Sequence, residues 1–184
     1  MKICLFCENK YAVSILEPIQ EAADEEGGNE VLWYVHAKRI PEFPLANQVK
    51  YTNSIYDIQD FHPDAIFVPG NIVPYYLSGV KIQVFHGYAA EKKDHWVIRR
   101  YFDTYFTQGP FFTKGFERLA KKYKDFEVLE TGWPRQDWIF NNIHTFDAER
   151  ENYLKQYGKS KVVLYAPTFS PSLTSLPYMR DTLC

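Results

Sequence analysis

Short apolar runs, each closed by a polar, glycine or proline break and followed by a stretch of helical spacing, recur along the first two thirds of the chain. Residues 2–6 read as a first strand, and between residues 11 and 26 the apolar positions Val13, Leu16, Ile19 and Ala23 recur at the period of an α-helix. Gly27-Gly28-Asn29 ends that helix. Residues 30–35 form the next strand, so the chain opens as β-α-β, the unit of a parallel sheet. After Pro41 and Pro44 the pattern predicts a small strand at 49–51, a short helix at 54–61 and a strand at 64–68 closed by Pro69-Gly70. A helical turn at 71–77 and a strand at 80–85 follow, the strand stopping at His86-Gly87.

The same rhythm continues further on. Residues 103–107 form a strand, and Gln108-Gly109-Pro110 opens a helix of about ten residues with proline in the first turn, where it is tolerated. Lys121, Lys122 and Lys124 suit the negative end of that helix. A strand at 126–129 leads through the turn 131–137 into another helix, whose backbone N–H groups suit an anion. Residues 147–157 are polar and helical, and 161–166 read as a strand ending in Pro167-Thr168. The loop-like run 169–177 and the few residues after it cannot close a second domain. The pattern therefore predicts one complete Rossmann-like α/β domain over 1–145, and over 146–184 a linker helix with the opening strand of a truncated partner domain. The turn after the first strand, Cys7-Glu8-Asn9-Lys10, is not G-x-G-x-x-G, which argues against a dinucleotide there.

With 184 residues, 46% of them hydrophobic and 17% aromatic, the chain can bury a core of its own. Its net charge of −2 gives no general pull toward nucleic acid or membrane. Locally the signs separate. Glu21, Asp24, Glu25 and Glu26 crowd one early helix, whereas Lys92, Lys93, Arg99 and Arg100 follow the histidine strand, as either an anionic ligand near His86 or a solvated helix face requires. No apolar stretch reaches the about 18 residues of a membrane span, and the first residues lack a signal-peptide pattern. Three cysteines make no disulfide framework, which fits a reducing cytosol. Cys4 and Cys7 point to opposite faces of a strand and read as small core residues rather than a redox or metal pair. His36, His62, His95 and His144 lack metal-ligand spacing, and no carboxylate cluster suggests a bound cation. The aromatic middle, Trp96 to Phe112, falls at core positions and carries no nucleic-acid signature.

His86 is the candidate for chemistry. A strand of a parallel sheet delivers it to the carboxyl edge, where such sheets bind ligands, and an imidazole with its ordinary pKa of about 6.5 can take a proton near neutral pH. Gly87 beside it lets a substrate come close. Arg135 can meet a phosphate or form an exposed pair with Asp137.

The segments Phe85-His86-Gly87, Asp103 to Thr107, Gly132-Trp133-Pro134-Arg135-Gln136-Asp137 and Val163 to Thr168, in this order, resemble the CDP-glycerol glycerophosphotransferase family, whose members make teichoic-acid-type and capsule-like polymers. Tyr88 departs from a usual threonine, and Trp133 and Gln136 depart from a more typical G-Y-P-R-N-D. The resemblance implies the amino-terminal, acceptor-side domain of a GT-B architecture, with His86 as general base and a second, nucleotide-binding domain holding the donor. The expected reaction moves glycerol phosphate, or a related alditol phosphate, from a CDP-linked donor to a hydroxyl of a polymer or lipid-linked acceptor. It needs no cofactor. Gly87, Lys92, Lys93, Arg135, Asp137 and, on the donor side, Thr168 are the expected substrate contacts, and the protein is expected to be cytoplasmic, peripheral on the inner face of the cell membrane. Basic residues near such a surface contribute about 1 kcal/mol each. The chain by itself is expected to be without turnover. Two other readings stay open: a GT-B nucleotide-sugar glycosyltransferase or UDP-N-acetylglucosamine 2-epimerase relative, and a truncated, non-catalytic binding module.

Overall fold

The computed structural model describes residues 1–88, 90, 93–158, 161, 163–168 and 170–183. The chain divides into two compact units, Met1–Asn141 and Asn142–Cys184.

The first unit is built on seven strands among the described residues: β1 (Lys2–Cys7), β2 (Glu30–Val35), β3 (Tyr51–Thr52), β4 (Ala65–Val68), β5 (Val80–Val84), β6 (Thr104–Thr107) and β7 (Glu127–Glu130). They lie in the order β3-β2-β1-β4-β5-β6-β7, and every neighbouring pair is parallel. This is a Rossmann-like sheet. The order reverses direction between β1 and β4, the switch point at which open α/β sheets leave a crevice.

Helix α1 (Val13–Glu26) covers one face, while α2 (Ile55–Phe61) and α3 (Pro110–Tyr123) contribute to the core on the other. The alternation within β1 shows how the sequence fixes this. Ile3, Leu5 and Cys7 pack with Val13 and Leu16 of α1, whereas Cys4 and Phe6 point into the layer that holds Ile58 and Phe116. Both cysteines are fully buried, and burial pushes each thiol up to about 12. Strand β5 repeats the pattern, with Ile82 and Val84 against Ile15 of α1 and Phe85 on the opposite face. Strands covered on both faces need apolar residues at nearly every position, which is why the hydrophobic runs stand out in the sequence.

The aromatic middle of the chain is mainly core. Tyr105 lies between Phe116 and Phe126, with ring centroids 5.0 and 4.7 Å away, and Trp96 stacks on Phe112 and Phe116. Trp96 can approach α3 this closely because position 115 is glycine, where a Cβ would stand 2.3 Å from the indole. That docking explains one departure from the sequence reading. The basic segment after His86 has a single 3-10 turn, Lys93–Trp96, among its described residues and no α-helix, since the chain must deliver Trp96 into the layer beneath α3.

Two further expectations are corrected. Residues 71–77 make one hydrogen-bonded turn, Leu77 N–H to Pro74 C=O at 3.3 Å, in place of a helical turn; Val73 and Leu77 are both anchored in the core. Among the described residues of 161–168 there is no strand. Val163 and Leu164 are 82% and 87% exposed, and without a sheet neighbour the apolar run has no ladder to join. The second unit carries α5 (Asp147–Tyr157) and α6 (Leu176–Leu183), the latter beginning inside the run 169–177 that the sequence reading takes as loop-like.

Candidate active site

Because all strands of the sheet are parallel, the loops that leave their carboxyl ends converge on one edge. His86 follows β5 and Phe85 at this edge and is partly buried. Three hydrogen bonds from neighbouring loops fix its segment. The indole N–H of Trp133, just beyond β7, donates to the carbonyl of Phe85 at 2.7 Å. The amide of Gln108, just beyond β6, donates to the carbonyl of Gly87 at 2.7 Å. Nδ1 of His86 lies 3.0 Å from the carbonyl of Pro69, just beyond β4.

The last contact decides the chemistry available to the ring. A carbonyl only accepts, so Nδ1 of the neutral imidazole must carry the hydrogen and Nε2 keeps its lone pair. Tyr11, in the turn after β1, lies against the imidazole with ring centroids 5.2 Å apart. A ring held by its Nδ1–H and flanked by an aromatic has few orientations open to it, which suits a base that must meet one hydroxyl.

Gly87 faces open space, since a Cβ there would touch nothing within 4 Å. The next residue, Tyr88, is exposed and sets its ring edge-on to Trp133 at 5.0 Å. Gln108 is only 8% exposed, and its Oε1 is buried without a hydrogen-bond partner among the described residues.

Helix α4 (Arg135–Asn141) starts directly after this edge. Arg135 is exposed and its guanidinium sits over the Trp133 ring, 5.8 Å from the centroid, so it is joined to the His86 segment through one residue. Asp137 is exposed, and among the described residues it makes no ion pair with Arg135. Lys93 is exposed in its 3-10 turn, Lys92 lies outside the described residues, and Thr168 belongs to the second unit, where its hydroxyl accepts the N–H of Ser170 at 3.5 Å. Of the other basic residues in that segment, Arg99 pairs with Asp94. Arg100 pairs with Asp125 at 3.2 Å, next to the amino end of β7 and on the edge opposite His86.

Tyr11, Pro69, Gln108 and Trp133 complete the setting of His86, and the sequence reading assigns none of them a role in the site. Each sits within a few residues of a strand's carboxyl end, and that placement is the one signal that marks them. No group of three or more His, Cys, Asp or Glu among the described residues could hold a metal ion.

Residues 72–175, more than half of the chain, match the model of the family CDP-Glycerol:Poly(glycerophosphate) glycerophosphotransferase. The chain belongs to this family. No curated protein and no solved structure matches it. The matched span of this glycerophosphotransferase family includes the histidine strand, Gln108, Trp133 and Arg135. No helix among the described residues is long and apolar enough to cross a membrane.

Proposed function

We propose that His86 is the general base of a glycerol-phosphate transfer in which an acceptor hydroxyl attacks the phosphorus of CDP-glycerol and CMP leaves. The observation that carries this is the Nδ1 contact to the Pro69 carbonyl, which reserves Nε2 for a proton from outside the protein. The hydroxyl proton goes to Nε2, the new bond forms between the acceptor oxygen and phosphorus, and the bond from phosphorus to the CMP oxygen breaks. Positioning and charge neutralisation are what such a transfer chiefly asks of a protein. Gly87 leaves room for the attacking group, and Arg135 lies on the acceptor side.

The acceptor is a hydroxyl of a cell-surface polymer or of a lipid-linked precursor, and the protein works on the cytoplasmic side of the membrane. Arg99 is engaged by Asp94, and Arg100 by Asp125 on the opposite edge, so neither is offered to a diphosphate beside His86. The chain by itself is therefore expected to release CMP slowly at most. The test is single-turnover CMP release from CDP-glycerol, with protein in excess, by the chain and by His86→Gln. Whatever release occurs should fall by a factor of about 10²–10⁴ in the variant, the usual contribution of a positioned base. Release that survives the substitution, or turnover of a UDP-sugar in place of CDP-glycerol, would overturn the reading.

A further inference from the structure

Beside the edge that carries His86, α1 and α4 enclose a cleft of about 340 Å³ within the first unit. Its volume lies at the lower end of the about 300–1,000 Å³ typical of small-molecule sites. Ser14, Glu17, Pro18 and Glu21 of α1 form one wall, and Arg135, Trp138 and Ile139 of α4 the other. The helical spacing of the first four puts them on one face. Pro18, inside the helix, has no N–H to give to the carbonyl of Ser14 four residues back, so that acceptor loses its helical donor on the cleft side. Trp138 is 53% exposed and offers an aromatic surface.

Each wall reaches the histidine through a single residue. Ser14 donates its hydroxyl to the carbonyl of Tyr11 at 3.3 Å, and the Tyr11 ring lies against His86. Arg135 covers Trp133, whose indole holds the carbonyl that precedes His86.

We propose that this cleft is the acceptor subsite and that it takes an uncharged, hydroxyl-rich ring, a saccharide unit, rather than a glycerol phosphate unit. The inference rests on reading His86 as the base for the acceptor, and it adds the class of acceptor. Two carboxylates face one guanidinium, so a phosphodiester entering the cleft meets net repulsion. A purely apolar guest leaves Glu17, Glu21 and Arg135 unpaired. A sugar satisfies every component: its hydroxyls donate to the carboxylates and to the Ser14 carbonyl and accept from the guanidinium, while its C–H face covers Trp138. Glu17 is already held above the usual carboxylate value, first by burial and then by Glu21, so a neutral hydroxyl donor is a better neighbour for it than an anion.

The test is an NMR titration of the intact chain with a neutral disaccharide such as cellobiose, with glycerol 3-phosphate and with a simple diamine. The Trp138 indole and the Arg135 side chain are followed, assigned through Trp138→Phe and Arg135→Lys. The disaccharide is expected to move both resonances with a saturating curve at concentrations on the order of 10 mM. Glu17→Ala and Arg135→Ala should each weaken that binding about tenfold, the effect of losing one hydrogen bond to a charged group. Unchanged amide shifts in β1 and β4 will show that each variant is folded. Preferential response to glycerol 3-phosphate or to the diamine, or no response to the sugar, overturns the proposal. Sugar binding accompanied by CMP release that ignores His86 would sink the transfer mechanism and leave the cleft assignment standing. His86-dependent release with a silent cleft would do the reverse.

Discussion

At the scale of single residues, the same burial that makes the sheet rigid also sets its response to alkali. Burial, aided by Asp125, pushes the Tyr105 phenol from 10.0 up to about 12. Between those values the unfolded chain has released this proton and the native chain has kept it, so stability falls as pH rises through the window. Cys4 and Cys7 act in the same direction from 9.0 upward. Tyr105→Phe keeps the ring contacts with Phe116 and Phe126 and removes the phenol. The variant is expected to match the parent at pH 7 and to unfold at higher pH in a denaturation series from pH 9 to 12; an earlier alkaline transition would mean that the hydroxyl makes a favourable contact. Beside the histidine, Gly87→Ala puts a methyl into open space. Its thermal midpoint should stay within a few degrees of the parent, as for other exposed substitutions worth about 0.5 kcal/mol or less, while acceptor access is reduced.

At the scale of elements, α3 is tied to the histidine loop through Trp96, which rests on Gly115 and donates its indole N–H to the carbonyl of Ala90 at 2.9 Å. Gly115→Ala gains helix propensity of up to about 1 kcal/mol but drives a Cβ into the indole. Overpacking costs about 1–3 kcal/mol, so a net loss is expected in urea denaturation, together with a shifted Trp96 indole resonance. Unchanged stability with an unmoved indole would show that the contact is looser than the structure has it. The alternation of β1 and β5 and the helical spacing of α1 are legible in the sequence because each satisfies its own local period. What local periods do not contain is the loop geometry. Nothing near residue 93 announces that Trp96 must reach α3, and nothing near residue 133 announces that its indole will hold the carbonyl of a residue 48 positions earlier. His86 could be found from the strand that ends at it, whereas its partners Pro69, Gln108 and Trp133 come from three other loops and meet only once the strand order is known. The apolar run at 161–166 misleads for the converse reason, since its pattern is that of a strand but among the described residues no neighbouring strand pairs with it.

At the scale of the whole molecule, the two units differ in what holds them. The first has continuous apolar layers on both faces of its sheet, whereas no described residue of 142–184 is buried. A helix as short as α5 is marginal in water without tertiary packing. Amide exchange should therefore be slow across β1, β4, β5 and β6 and fast across α5 and α6, and a chain ending at Asn141 should keep the sheet's thermal midpoint within a few degrees. Strong protection across 170–183 would contradict this division. The chemistry assigned to the first unit depends on one nitrogen, and long-range ¹H–¹⁵N correlation of the His86 imidazole observes it directly in the intact chain. The expected result is a neutral ring protonated on Nδ1, with an Nε2 resonance that moves when a hydroxyl acceptor is added and an Nδ1 resonance that does not. A ring protonated on Nε2, or an Nε2 that ignores every acceptor, would contradict the role of His86 as the base.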